Sequence, residues 1–214
     1  GSQGFVAHVG DSRVYLVRHG NLHQLTEDHS LLNDLKRRGR DPDRTQLGAA
    51  YHGALTRALG VLDTARVDLL DLELLPGDRF VLCSDGVHGV VGESSMQAIA
   101  PHGDAETTAF ALIEAALQNG APDNATCIVI DIRDDTSEDR AARVRRQLEA
   151  LQAFSMFRYL PYPDLIRVAN IAQQLDFSVG EDVFHEDEPG DSLYIILDGT
   201  ASVVKSGVEV ATLD

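Results

Sequence analysis

Between Phe5 and Ile132 the apolar residues come in short runs, and each run stops at a turn-former. Phe5-Val6-Ala7-His8-Val9 halts at Gly10-Asp11, and residues 14–17 and 22–25 flank His19-Gly20-Asn21. The run at 67–74 turns at Pro76-Gly77-Asp78, the run at 79–84 ends on Asp85-Gly86, and Pro122-Asp123-Asn124 leads into the run at 125–132. Runs this short and connections this tight favour antiparallel strands, with glycine supplying the positive φ of a hairpin turn. Helical spacing interrupts them twice. Residues 30–38 place Leu31, Leu32 and Leu35 on one face with basic residues before Gly39, and residues 104–118 carry an apolar stripe closed by Gly120. The class is therefore α+β. The polar, irregular stretch 39–53 reads as a mobile surface segment.

The pattern changes at Asp134. Acidic residues come first and Arg140, Arg143, Arg145 and Arg146 follow, the order that suits a helix dipole, while Thr136 and Asp139 have capping-box spacing and Val144, Leu148 and Leu151 extend a stripe. This is a connecting helix. A second helix is expected over 163–175, with Pro163 in its first turn. Glycines at 180, 190, 199 and 207 then set the rhythm of a small all-β unit with strands at 182–184, 193–197, 200–204 and 208–213. Three parts result: residues 1–134, a linker at 135–153, and residues 154–214. Both ends read as cut, since the chain opens without Met inside a strand and stops within an alternating pattern.

The charge narrows the partners. Lys and Arg number 18 against 34 Asp and Glu, a net charge of −16 that disfavours nucleic acid and anionic membrane as partners. No apolar stretch approaches the ~20 residues of a membrane span, so a cytoplasmic protein is expected. Cys83 and Cys127 each sit inside an apolar run, without zinc-type spacing, and read as small core residues.

Asp11, Asp85 and Asp123 each stand at the end of an apolar run beside turn-formers. One such Asp is ordinarily a turn residue that caps its own backbone. Three of them on rigid strand ends suit hard cations such as magnesium or manganese, which take oxygen ligands and retain waters.

The motifs also carry a family resemblance. Val9-Gly10-Asp11-Ser12-Arg13-Val14-Tyr15, Leu25-Thr26-Glu27-Asp28-His29-Ser30, Leu55-Thr56-Arg57-Ala58-Leu59-Gly60, Leu82-Cys83-Ser84-Asp85-Gly86 and Pro122-Asp123-Asn124-Ala125-Thr126 resemble, in order and spacing, PPM metal-dependent Ser/Thr phosphatases of the protein phosphatase 2C type. The resemblance covers residues 5–132. It implies two packed antiparallel sheets flanked by helices, a phosphorylated protein as substrate, and two Mn2+ or Mg2+ ions held in part by Asp85 and Asp123, with Asp11 at a third, weaker ion. Turn and packing roles are expected for Gly10, Ser12, Arg13 and Arg57. The family's proposed acid histidine belongs to an earlier segment, so His8, His23, His29 and His88 are expected at the surface or in the core. An acidic ligand and an Asp-Gly-x-Gly motif of the family also belong upstream, so this portion alone is expected to be inactive. A non-catalytic pseudophosphatase, serving as sensor or scaffold, is the alternative.

A second resemblance is shorter. Residues 177–184 and 188–199 look like the first strands of a cyclic-nucleotide-binding domain, a partial β-roll led by helices within 154–175. That resemblance implies regulation by cyclic AMP or cyclic GMP, with the phosphate-gripping residues expected beyond Asp214.

Overall fold

The computed structural model describes residues 3–40, 53–133 and 138–213. The expected runs form strands in two antiparallel sheets. One pairs β1 (Gln3–His8) with β4 (Asp68–Glu73); the other has the order β3-β2-β5-β6, from β2 (Arg13–Arg18), β3 (Asn21–Gln24), β5 (Arg79–Cys83) and β6 (Cys127–Asp131). His19 and Gly20, both at positive φ (51° and 77°), make the two-residue turn joining β2 to β3. Their twist matches that of the strands they connect.

Alternation along the strands divides the side chains between two cores. Leu16 and Phe80 face the first sheet and pack on Leu70 and Leu72. Tyr15, Val17, Val81 and Cys83 point the other way. They meet α2 (Asp85–Val91), α3 (Glu93–Ile99) and α4 (Ala105–Gln118) through Val87, Val91, Met96, Leu112 and Ala116. The arrangement is the expected sandwich with helices outside. The helix expected at 30–38 is α1 (Leu31–Arg37), capped by Ser30 and followed by Gly39 at φ 69°. Helices α2 and α3 were not foreseen. The segment expected to be mobile, 39–53, falls largely on residues 41–52, outside those described, as does Thr136.

Two buried arginines tie the layers. Arg18 forms a bidentate pair with Asp78 (2.8 and 2.7 Å) and donates to the Glu73 carbonyl (2.7 Å), while Asp78 also accepts from the Leu75 amide (2.8 Å). Arg79 pairs with Asp131 and donates to the carbonyls of Ala100, His102 and Gly103. Burial opposes the charge of Arg18, and the Asp78 carboxylate outweighs it, leaving the guanidinium firmly protonated.

Downstream, α5 (Glu138–Ala153) and α6 (Tyr162–Ile171) pack on each other through Leu148, Leu151 and Leu165. They also rest on the sandwich: Ile166 joins its core, and the Tyr162 ring stacks on His23 at 3.7 Å. The second helix stops at Ile171, short of the expected 175, because Ala172 turns extended. Of the four strands expected beyond it, β7 (Ala201–Lys205) and β8 (Val208–Leu213) form a hairpin. The strands expected at 182–184 and 193–197 do not form; no ladder partner lies beside them among the described residues. A β-roll is accordingly not shown. No helix among the described residues is long and apolar enough to cross a membrane.

Candidate metal centre

The three aspartates singled out in the sequence stand at one end of the larger sheet. Arg13 of β2 faces Cys83 of β5, and Cys83 faces Cys127 of β6. Asp11 lies just before the first, Asp85 just after the second and Asp123 just before the third.

Local chemistry draws two of these ends together. Ser84 occupies the cap position of α2, yet its hydroxyl does not cap that helix. It crosses instead to the neighbouring loop, donating to the Asn124 carbonyl (3.1 Å) and accepting the Thr126 amide (3.0 Å). The backbone amide of Ser84 adds a bond to the Thr126 carbonyl (3.1 Å). Gly86 makes the approach possible, because a Cβ there would lie 2.4 Å from the Asn124 carbonyl oxygen and 3.2 Å from that of Asp123. Only a glycine leaves this space to the opposing backbone.

Both carboxylates are exposed and each is oriented by its own turn. Asp85 Oδ1 accepts the Gly86 amide (2.9 Å), and Asp123 Oδ1 accepts the Asn124 amide (2.7 Å). The second oxygen of each has no hydrogen-bond partner among the described residues, which leaves a lone pair available to a cation.

Asp11 reaches the same end by another route. His29 clasps the preceding residue from both sides: its backbone amide donates to the Gly10 carbonyl (2.8 Å), and its Nδ1 accepts the Gly10 amide (3.1 Å). From α2, His88 donates through Nε2 to the Asp11 carbonyl (2.9 Å). Burial, with the Arg13 charge nearby, depresses the His88 pKa and favours the neutral ring.

Several supporting residues were not picked out as such from the sequence. Since His29 Nδ1 accepts a proton, its Nε2 carries one and donates to Asp68 (3.0 Å). Arg57 approaches the same nitrogen at 3.1 Å, a meeting of two donors, so its bond is the one to Asp68 Oδ1 at 2.6 Å. Partial burial raises the Asp68 pKa, but the bonds from His29 and Arg57 outweigh it and the carboxyl ends below its ordinary value. Arg13 is held bidentately by Asp28 (2.8 and 2.7 Å) and touches the Tyr15 hydroxyl (3.1 Å). The motif Thr26-Glu27-Asp28-His29-Ser30 was the available signal for Asp28 and His29; Asp68 had none. His8 is buried beside His29, ring centroids 4.8 Å apart, with neither nitrogen partnered among the described residues. Burial holds its pKa low.

Oxygen donors on strand ends fit a hard divalent ion, which needs only one or two carboxylates besides water. Among the described residues no three His, Cys, Asp or Glu side chains converge as a complete ligand set. Asp85 and Asp123 thus each offer an oxygen donor of the right chemistry on neighbouring strand ends.

The family profile described as Protein phosphatase 2C matches residues 1–125. The serine/threonine phosphatase stp of Listeria monocytogenes is 37% identical over 142 residues, covering 66% of this chain and 56% of that protein. The serine/threonine protein phosphatase PstP of Mycobacterium tuberculosis is 34% identical over 129 residues, 60% of this chain and 25% of that protein. Its crystal structure superposes with a TM-score of 0.57 at 33% identity, covering 63% of this chain and 57% of the other. A PstP catalytic domain in complex with two manganese ions superposes at 0.55 with 34% identity, over 63% of this chain and 55% of the other. The chain spans about half the length of the Listeria relative. Sheets, helices and motifs agree with these comparisons, and the chain belongs to the protein phosphatase 2C family.

Proposed function

We propose that the whole protein is a metal-dependent serine/threonine phosphatase acting on phosphorylated proteins, and that Asp85 and Asp123 hold its manganese or magnesium. The observation that carries this reading is the clasp of Ser84 and Gly86 onto the Asp123-Asn124 loop, which brings two carboxylate-bearing strand ends together. Ions bound there would lower the pKa of an attacking water and neutralise charge on the phosphoryl group. The residues of this chain orient the donors: the Gly86 and Asn124 amides fix one oxygen of each carboxylate, and His88 holds the Asp11 turn beside them, where a weaker third ion would sit. The manganese-bound relative supports the choice of metal.

The test uses the full-length protein, a phosphothreonine peptide and manganese. Turnover should require the metal, and Asp85→Asn should lower it about 100-fold. Full activity in the presence of a chelator, or an undiminished Asp85→Asn variant in excess manganese, defeats the proposal. Manganese binding without any turnover would point to the scaffold reading.

The remaining parts extend the same proposal. Residues 1–134 form the phosphatase portion, 135–153 connect, and 154–214 open a regulatory domain of cyclic-nucleotide-binding type in a cytoplasmic enzyme. Support comes from the sequence resemblance of residues 177–184 and 188–199 and from the seating of α6 on the sandwich, which gives a downstream domain a physical hold on the phosphatase. A regulator must bind one arrangement of these helices better than another. Calorimetry of the full-length protein with cyclic AMP and cyclic GMP decides it, and binding of neither removes nucleotide control.

A further inference from the structure

We propose that Cys83 and Cys127 are a thiol pair that oxidises to an intrachain disulfide linking β5 to β6. This goes beyond the phosphatase reading and does not depend on it.

The argument begins with register. Cys83 and Cys127 face each other directly across the antiparallel pair. The hydrogen-bond phase follows from the flanking bonds: the Ser84 amide donates to the Thr126 carbonyl (3.1 Å), and the Ile132 amide donates to the Asp78 carbonyl (2.9 Å). Each is a single backbone bond between residues directly opposed in the extended register, and the two agree on the phase of the ladder. Because bonded and non-bonded pairs alternate along such a ladder, Cys83 and Cys127 fall at a non-hydrogen-bonded position. Opposed residues there have Cα atoms about 4.5 Å apart and side chains on the same face of the sheet. A disulfide spans Cα separations of roughly 4.4 to 6.8 Å, so this bridge needs little backbone movement.

Access sets the order of events. Cys83 is buried, while Cys127 is half-buried on the edge strand of the four-stranded sheet. With hydrogen peroxide as oxidant, the Cys127 thiol gives up its proton and its sulfur attacks one peroxide oxygen; an S–O bond forms, the O–O bond breaks, and the departing hydroxide takes that proton and leaves as water. The Cys83 sulfur then attacks the sulfenic sulfur of Cys127. The S–S bond forms, the S–O bond breaks, and the departing hydroxide takes the Cys83 proton as a second water. Two thiols and one peroxide thus become one disulfide and two waters. The bond would sit just before Asp85 and just after the Asp123 loop, clamping the two strand ends that carry them.

The test reads the bond itself. The reduced 214-residue chain is exposed to hydrogen peroxide under native conditions, unfolded, titrated for thiols and mapped without reductant. Cleavage after Glu93, Glu106 and Glu114 separates the two cysteines, which share a segment without Lys or Arg from 80 to 132. Both thiols should disappear together into one linked peptide pair, lighter by two hydrogens, that dithiothreitol restores. In Cys83→Ala the Cys127 sulfenic acid has no resolving partner and should be trapped by dimedone. If that variant does not fold, the map of the unaltered chain still decides the matter. The inference is overturned if both thiols survive prolonged oxidation, if Cys127 ends as sulfinic acid in the unaltered chain, or if the product is a dimer linked between chains. Neither manganese nor turnover enters the readout, so its failure and failure of the phosphatase reading are distinct.

Discussion

Two hairpins in this chain are built alike and end differently. Strands β2 and β3 turn at His19-Gly20, β7 and β8 at Ser206-Gly207, and both turns place a non-glycine and then a glycine at positive φ. Both hairpins hold valines at strand positions. Yet Leu16 and Val17 are 0% and 5% exposed, whereas Val208 and Val210 are 65% and 58% exposed. Local sequence suffices to close a hairpin. Burial requires partners far away in the chain: β2 gains β5 alongside, β4 across one face and α4 across the other, while β7 and β8 have only each other among the described residues. A lone two-stranded ribbon is marginal in water, so the stability of this chain should reside in the sandwich.

The strongest way to break that comparison is to remove a charge from each region. Arg18→Ala leaves Asp78 buried without its partner, and such a loss costs about 3–5 kcal/mol. Lys205→Ala on the exposed ribbon should stay within about 0.5 kcal/mol. Urea unfolding of both variants measures the difference. Equal shifts would mean that the sandwich is not the cooperative unit.

A cavity gives a second contrast of similar kind. Leu112 is wholly buried between α4 and the sheet, so Leu112→Ala should cost about 2–5 kcal/mol, depending on how far the site collapses. Val210→Ala removes atoms that already face solvent, and its unfolding midpoint should match that of the parent chain. A matched loss in the two variants would show that the ribbon has a core partner.

How much of this was legible beforehand follows the same division. The strands of the sandwich were readable because each alternates and stops at a strong turn signal, and the three aspartates stand at those stops, at one end of the larger sheet. Helices α2 and α3 were missed since Gly86, Gly89 and Gly92 break their apolar spacing; Gly86 is there for close backbone approach, not for propensity. The ion pairs joining Arg18 to Asp78 and Arg57 to Asp68 connect distant segments, and no local pattern announces them. In the tail the glycine rhythm predicted four strands and two formed, because rhythm marks turns and says nothing about whether a second layer exists to receive the strands.

Gly86→Ala tests a place where the fold meets the proposed metal site. Its methyl would collide with the Asn124 carbonyl, and relief requires the Asp85 turn and the Asp123 loop to part. Overpacking of this kind costs about 1–3 kcal/mol, and on the proposed role of Asp85 and Asp123 the separated carboxylates should bind manganese more weakly than in the parent. Titration calorimetry on folded protein reads the second effect. A variant that binds manganese as the parent does would show that the close approach serves packing alone.

The smallest effect is expected where α6 meets the sandwich. His23 lies under Tyr162 of α6 and near Arg18; burial, then the Arg18 charge, pushes its pKa down from 6.5 to about 4. The unfolded chain therefore takes up this proton first as the pH falls. Stability contributed by the neutral ring is complete above 6.5, declines between 6.5 and about 4, and has been lost below that. Phenylalanine keeps a ring to stack on Tyr162 and removes the titration, so His23→Phe should match the parent at neutral pH and exceed it increasingly in acid. Because the ring is partly exposed, the gain at about pH 5 should be about 1 kcal/mol. His8 and His88 are also depressed by burial and lend an acid slope of their own, common to both proteins, so the informative quantity is the difference between the two melting curves. A difference that does not change with pH would mean that His23 titrates alike in folded and unfolded chains, and hence that α6 does not seal it against the sandwich.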